Sequence, residues 1–252
     1  MIGKPLFFIQ IYSLFVAIPY LFTNHYVYNG KSSHLANYHS AFWWIAGDNL
    51  GFRRDTAISK SSGKPYKFET DLLYPKTSII PYEEQLKTLT SNGFAIWDIL
   101  KSCKRKGSLD QDIKEEIPNN IPDFCDRHPS IQRIVLCNGS SSVVFFNRHF
   151  KDWWVSSNKL QPGRNKESIQ AFQKLENMRK EEKQKGVTTG HNDDDDNNQD
   201  HNKIECICGL GVSPAAAKFT YVQKRDFYTR YCYEPGLEDH RRLKIDGPRQ
   251  ER

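Results

Sequence analysis

Ile131-Gln132-Arg133-Ile134-Val135-Leu136-Cys137-Asn138-Gly139-Ser140 is the stretch that decides the fold. Residues 131–137 form a short, mostly apolar run bounded by a turn, the mark of a strand covered on both faces. Asn138-Gly139 supplies the turn, because glycine accepts backbone geometry that other residues resist. A serine-rich start then leads into Val143, Val144, Phe145 and Phe146, which read as a helix. Strand, glycine turn and helix together form the repeating unit of an α/β sheet.

Working outward, the same grammar recurs. Gly93 ends a helix that starts at Pro81 with Glu83 and Glu84 in its acidic first turn. Residues 94–100 form a second buried strand, and 204–208 a third. Phe42, Trp43, Ile45, Ala46 and Leu50 recur at helical spacing before Gly51, which fits a helix C-cap. Residues 53–80 are polar and read as a loop. Ser108 and Gln111 are spaced as a capping box for a further helix, Asn120 caps another, and residues 220–231 form a final amphipathic helix. The fold class expected is α/β, a three-layer αβα sandwich around a central, mainly parallel sheet. Ligands of such sheets sit at the carboxyl ends of the strands.

Other stretches differ in character. Residues 162–203 are highly charged, helix-like at first, and include Asp193-Asp194-Asp195-Asp196; they read as a disordered, solvated insertion. Residues 238–252 read as a basic flexible tail able to touch phosphates. Residues 5–22 are apolar but interrupted by Gln10, Tyr12, Ser13 and Pro19, so 1–30 reads as an atypical segment outside a 31–237 domain. It suits a signal peptide, a marginal membrane anchor, or a buried strand plus helix. A net charge of +6 biases the chain only mildly toward polyanions. Of six cysteines, only Cys206 and Cys208 are close. Their spacing is too tight for a zinc knuckle and places both on one face of a strand, which suits reduced thiols in a core.

Three segments in order resemble the deoxyinosine (hypoxanthine) branch of the uracil-DNA glycosylase superfamily. They are Ala41-Phe42-Trp43; Gly93-Phe94-Ala95-Ile96-Trp97-Asp98-Ile99-Leu100, running through Cys103 and Arg105 to Gly107-Ser108-Leu109-Asp110; and Asn138-Gly139 with Ser213-Pro214-Ala215. The Gly-x-Ala-x-Trp-Asp to Gly-Ser-Leu-Asp block is the specific part. The resemblance implies a monomer that flips a deaminated base out of DNA and hydrolyses its bond to the sugar, without metal or organic cofactor. Hypoxanthine is the first choice of base and uracil the second.

The resemblance also assigns roles. Asp98 would read the ring N–H of the base or stabilise the sugar cation, since a carboxylate accepts hydrogen bonds. The water would be handled by Asn37 or Ser40, because the branch expects an asparagine just before the Phe-Trp pair and Ser40 occupies that place. Phe42 would offer a stacking face, and Asn138 and Gly139 a wall of the pocket. Ser213, Pro214, Ala215 and Lys218 would form a loop against the DNA, with Lys224 and Arg225 adding salt-sensitive affinity. The Gly- and Pro-containing loop that ends the superfamily's first strand is not visible before Ala41. A catalytically silent DNA-binding relative is therefore one alternative reading, and a membrane-anchored protein using 5–22 is another. A repair role places the chain in the nucleus.

Overall fold

The computed structural model describes residues 13–17, 40–105, 113–137, 139–156, 159–184, 203–213 and 216–246. Its main sheet has five strands in the order β2-β1-β5-β7-β6. These are β1 (Ser13–Ala17), β2 (Phe94–Asp98), β5 (Arg133–Leu136), β6 (Leu160–Pro162) and β7 (Ile204–Cys208). β5, β7 and β6 run parallel, whereas β1 runs antiparallel to both β2 and β5. The sheet is therefore mixed, with parallel pairing among β5, β7 and β6 and antiparallel pairing on both sides of β1. The reversal comes from a segment expected to lie outside the domain: Ser13–Ala17 is a central strand, bonded on both sides.

Helices cover both faces of this sheet. They are α1 (Phe42–Leu50), α2 (Tyr82–Ser91), α3 (Ile121–Arg127), α4 (Ser140–Ser156), α5 (Lys166–Gln184), α6 (Tyr221–Tyr228) and α7 (Glu234–Asp246). Side chains of a strand alternate between faces, and β5 and β7 show it. Ile134, Leu136, Cys206 and Cys208 enter one cluster with Phe124, Phe146, Trp154 and Leu175 from α3, α4 and α5. Val135, Cys137 and Ile207 enter the other with Trp43, Leu89 and Tyr228 from α1, α2 and α6. A strand covered on both sides needs a continuous apolar run, which residues 134–137 supply.

The helix boundaries follow local chemistry. Gly51 ends α1 with φ 87°, and Gly93 follows α2 with φ 82°. The Asn120 side chain accepts from the Asp123 amide at the start of α3, and Thr220 and Gln223 form a reciprocal capping box at α6.

Three expectations need correction. The helix expected after Ser108 is instead β4 (Ile113–Pro118), paired antiparallel with β3 (Leu100–Arg105). Ser108 and Gln111 themselves lie outside the described residues. Ile113 and Cys103 are buried in this ribbon while Lys101, Lys104 and Lys114 are exposed, and the cross-strand pairing overrides the capping signal. The insertion expected to be disordered over 162–203 opens with α5, which buries Leu175 and Ser168. Asn165 and Ser168 tie it to β7: Asn165 Nδ2 donates to the Cys208 carbonyl at 3.1 Å, and the Cys208 amide to Ser168 Oγ at 2.8 Å. Residues 185–202 lie outside the described set. Finally, the tail expected to be flexible from 238 is helical to Asp246, because α6 continues through a π-helical turn, Thr229–Tyr233, into α7. Among the described residues no helix is long and apolar enough to cross a membrane.

Candidate functional site

The carboxyl edge of the sheet gathers the chemistry. Asp98 closes β2 and is 4% exposed, so it is a buried carboxylate. Its backbone carbonyl accepts from Asn119 Nδ2 at 2.7 Å, which fixes the strand end against the chain returning from β4. β5 ends on the same edge two strands away, a lateral distance of about 10 Å at the usual strand spacing.

Beyond β5 and β7 the two exit loops are knitted together. The Gly209 amide donates to the Leu136 carbonyl at 3.0 Å and the Val212 amide to the Cys137 carbonyl at 3.2 Å. Gly139 adopts φ 59°, and a methyl placed there would lie 3.3 Å from the Gly211 amide nitrogen. Glycine is needed at this position for conformation and for close approach. The Tyr228 hydroxyl reaches both loops from α6, donating to the Cys137 and Leu210 carbonyls. Burial pushes its pKa far up, so it remains a neutral donor.

The start of α1 joins the same edge. The Ala41 amide donates to the Val212 carbonyl at 2.8 Å. Ser40 is fully buried, and its hydroxyl accepts from the Phe42 amide at 3.4 Å and lies 3.5 Å from the Val212 carbonyl oxygen. Ser40 thus fastens the entry of α1 to the β7 exit loop. Phe42, expected to offer a stacking face, is 3% exposed and meets Trp43 edge-on at 5.3 Å between ring centres. It is packed in the core because α1 is buried at every position from Phe42 to Asp48.

The structure therefore brings Ser40, Asp98, Gly139 and Ser213 to one edge of the sheet. Asn37, Asn138, Pro214 and Ala215 lie outside the described residues. Lys218 is exposed, its ammonium 5.3 Å from the centre of the Phe219 ring. Lys224 and Arg225 are not open cations. Lys224 is buried and donates to the Ala216 carbonyl at 2.7 Å, and burial lowers its pKa. Arg225 donates to the Asp71 carbonyl at 2.7 Å and pairs with Asp48 at 3.4 Å. Both hold the fold together rather than facing a polyanion.

Residues that sequence patterns did not single out support this edge. Asn119 is one and Tyr228 another. Asp48 is a third: its carboxylate accepts from Tyr221 Oη at 2.9 Å and the Leu73 amide at 3.0 Å. Arg53, 6% exposed, spends its guanidinium on the carbonyls of Asp55, Tyr74 and Thr56 and on Glu69, which organises the polar 53–80 stretch into a fixed cap. An Asp in a helix or an Arg before a loop carries no sequence signal for such roles, since both are usually solvated. Among the described residues no group of three or more His, Cys, Asp or Glu side chains is placed to hold a metal ion.

Comparison with known proteins shows a partial relationship. The chain is 36% identical over 63 residues, 25% of its length, to a Hypoxanthine DNA glycosylase of Methanosarcina barkeri. It is 36% identical over 58 residues, 23% of its length, to a Hypoxanthine DNA glycosylase of Methanosarcina acetivorans. The matches cover 39% and 36% of those relatives, so the chain spans well under half the length of the curated relatives it matches. No family model and no solved structure matches it. Over about a quarter of its length, then, the chain is related to hypoxanthine DNA glycosylases.

Proposed function

We propose that the chain is a DNA glycosylase that releases hypoxanthine from deoxyinosine in DNA, built as a three-layer αβα member of the uracil-DNA glycosylase superfamily. The observation that carries this reading is Asp98, a buried carboxylate at the carboxyl end of β2, on the edge where the loops after β5 and β7 meet. Open α/β sheets bind their ligands at that edge, and a carboxylate held there can accept the ring N–H of a flipped hypoxanthine. In the reaction, water adds to C1′ of the sugar as the bond to N9 of the base breaks. The base leaves with the bonding pair and takes up the proton the water gives up, and an abasic site remains.

The roles divide by position. Asp98 reads the base or stabilises positive charge on the sugar, and Asn37 orders the water. Asn37 is preferred to Ser40, whose hydroxyl is occupied at the start of α1. Asn138 and Gly139 shape the wall of the pocket. Ser213, Pro214, Ala215 and Lys218 contact the DNA backbone, with Lys218 the exposed cation of the group. The protein works as a monomer, without a metal or organic cofactor, and in the nucleus.

The test is strand cleavage after alkali treatment of duplexes carrying one deoxyinosine or one deoxyuridine. Cleavage of the deoxyinosine duplex, lost by at least about a hundredfold in Asp98→Ala, is expected, which is the scale of a positioned catalytic group. An Asp98→Ala protein with an unchanged circular dichroism spectrum and wild-type cleavage would refute the assignment.

A further inference from the structure

A cavity of about 520 Å³ lies away from the carboxyl edge, against the first residues of β5 and β7 and under the π-helical turn and α7. Four arginines line it, Arg133, Arg164, Arg230 and Arg242, against three carboxylates, Glu205, Glu238 and Asp239. Every one of the carboxylates is already engaged. Arg133 and Glu205 face each other across paired strands at 2.8 Å, both 13% exposed, and Arg133 also pairs with Asp239 of α7. Arg242 pairs with Glu238 one turn earlier.

Two guanidinium groups are left with unspent donors. Arg164, from the β6–α5 connection, is 88% exposed and comes only within 3.8 Å of Glu205, beyond hydrogen-bond range. Arg230 is exposed, lies 5.3 Å from the centre of the Tyr231 ring, and makes no ion pair among the described residues. The π-helical turn puts Arg230 and Tyr231 on the wall, and widened turns of this kind recur at functional sites. The inner three charges, Arg133 with Glu205 and Asp239, form a fixed polar floor.

We infer that this cavity binds a phosphoryl group carried on a ligand of mononucleotide size. Guanidinium forks arriving from two separate elements suit an anion with several acceptor oxygens and more than one charge, which a phosphate monoester supplies and a carboxylate does not. The volume falls within the range of small-ligand pockets. The ring of Tyr231 offers a partly apolar flank for the rest of the ligand. This site does not depend on the proposed base-release reaction, because none of its lining residues is assigned a part in that reaction.

Calorimetric titration of the full chain tests it, with inorganic phosphate, deoxyadenosine monophosphate, deoxyadenosine and a short undamaged duplex as separate probes. Saturable binding of the monophosphate is expected, absent for deoxyadenosine and weakened at least tenfold in the Arg164→Ala/Arg230→Ala double variant. Both positions are exposed, so the variant should keep the wild-type circular dichroism spectrum. If only the duplex binds, a ligand of mononucleotide size is ruled out. If the variant alters the affinity of no probe, or if none binds at millimolar concentration, the inference fails.

Discussion

The Tyr228 hydroxyl donates to the Cys137 carbonyl at 3.1 Å, joining α6 to the loop that leaves β5. Its single proton is shared with the Leu210 carbonyl, so one side chain fastens the exits of both central parallel strands. Tyr228→Phe keeps the ring and deletes only this clasp. The Cys137 carbonyl retains the Val212 amide, while Leu210 loses its side-chain donor. The expected cost is about 1–2 kcal/mol, measured by urea unfolding, together with slower cleavage of the deoxyinosine duplex. An unchanged unfolding midpoint would show that the clasp contributes nothing.

Gly139 tests the same edge from the backbone side. Its φ of 59° is left-handed, a conformation that costs other residues about 1–2 kcal/mol. The methyl of Gly139→Ala would also press on the Gly211 amide, 3.3 Å away. Destabilisation of about that size, or somewhat more, is expected in urea unfolding, with loss of base release exceeding any change in helix content. Wild-type stability in Gly139→Ala would mean that the two exit loops can part freely.

Much of the fold was legible from sequence because its signals are local. The run at 131–137, the left-handed Gly51 and Gly93, and the cap at Asn120 each depend on residues a few positions apart. The failures share a cause as well. Residues 113–118 pair with a strand whose register is invisible locally, so a capping pattern at Ser108 pointed to helix. α5 buries few apolar side chains and is held by Asn165 and Ser168 reaching backbone of β7, about 40 residues downstream. A composition argument counts Leu and Phe and misses such clasps. Phe42 failed for the opposite reason: a helix buried all round has no face that spacing can single out. Asp48 and Tyr228 act through partners 173 and 91 residues away, distances at which a single sequence holds no signal.

Asp48 provides the largest expected loss of stability. It is 8% exposed and accepts from Tyr221, the Leu73 amide and Arg225, so it links α1, the 53–80 cap and α6. Asp48→Ala leaves a buried phenol and a partly buried guanidinium without their acceptor, at a cost of about 3–5 kcal/mol. Asp48→Asn retains an acceptor for Tyr221 and is expected to lose roughly half as much, since hydrogen bonds to charged groups are worth about twice neutral ones. Equal unfolding midpoints for the two variants would show that shape at position 48 matters and charge does not.

The cysteines make a prediction with a definite sign in pH. All six are free and buried. Burial, aided by the neighbouring Asp126 charge, pushes the Cys125 thiol up to about 12, and burial pushes Cys208 to about 11 and Cys206 well above its ordinary value. Unfolded thiols ionise near about 8.5, so from there upward the unfolded chain loses protons that the folded chain keeps. Stability is therefore complete below about pH 8.5 and falls as pH rises through 11 to 12, by up to about 1.4 kcal/mol per pH unit for each such thiol. Urea midpoints should be lower at pH 10 than at pH 8, and Cys125→Ala should flatten that slope. The same burial predicts that iodoacetamide at pH 8 labels the thiols only as fast as the protein unfolds. Rapid labelling of Cys125, Cys206 or Cys208 in native protein would contradict the packing of β7 against α3 and α5.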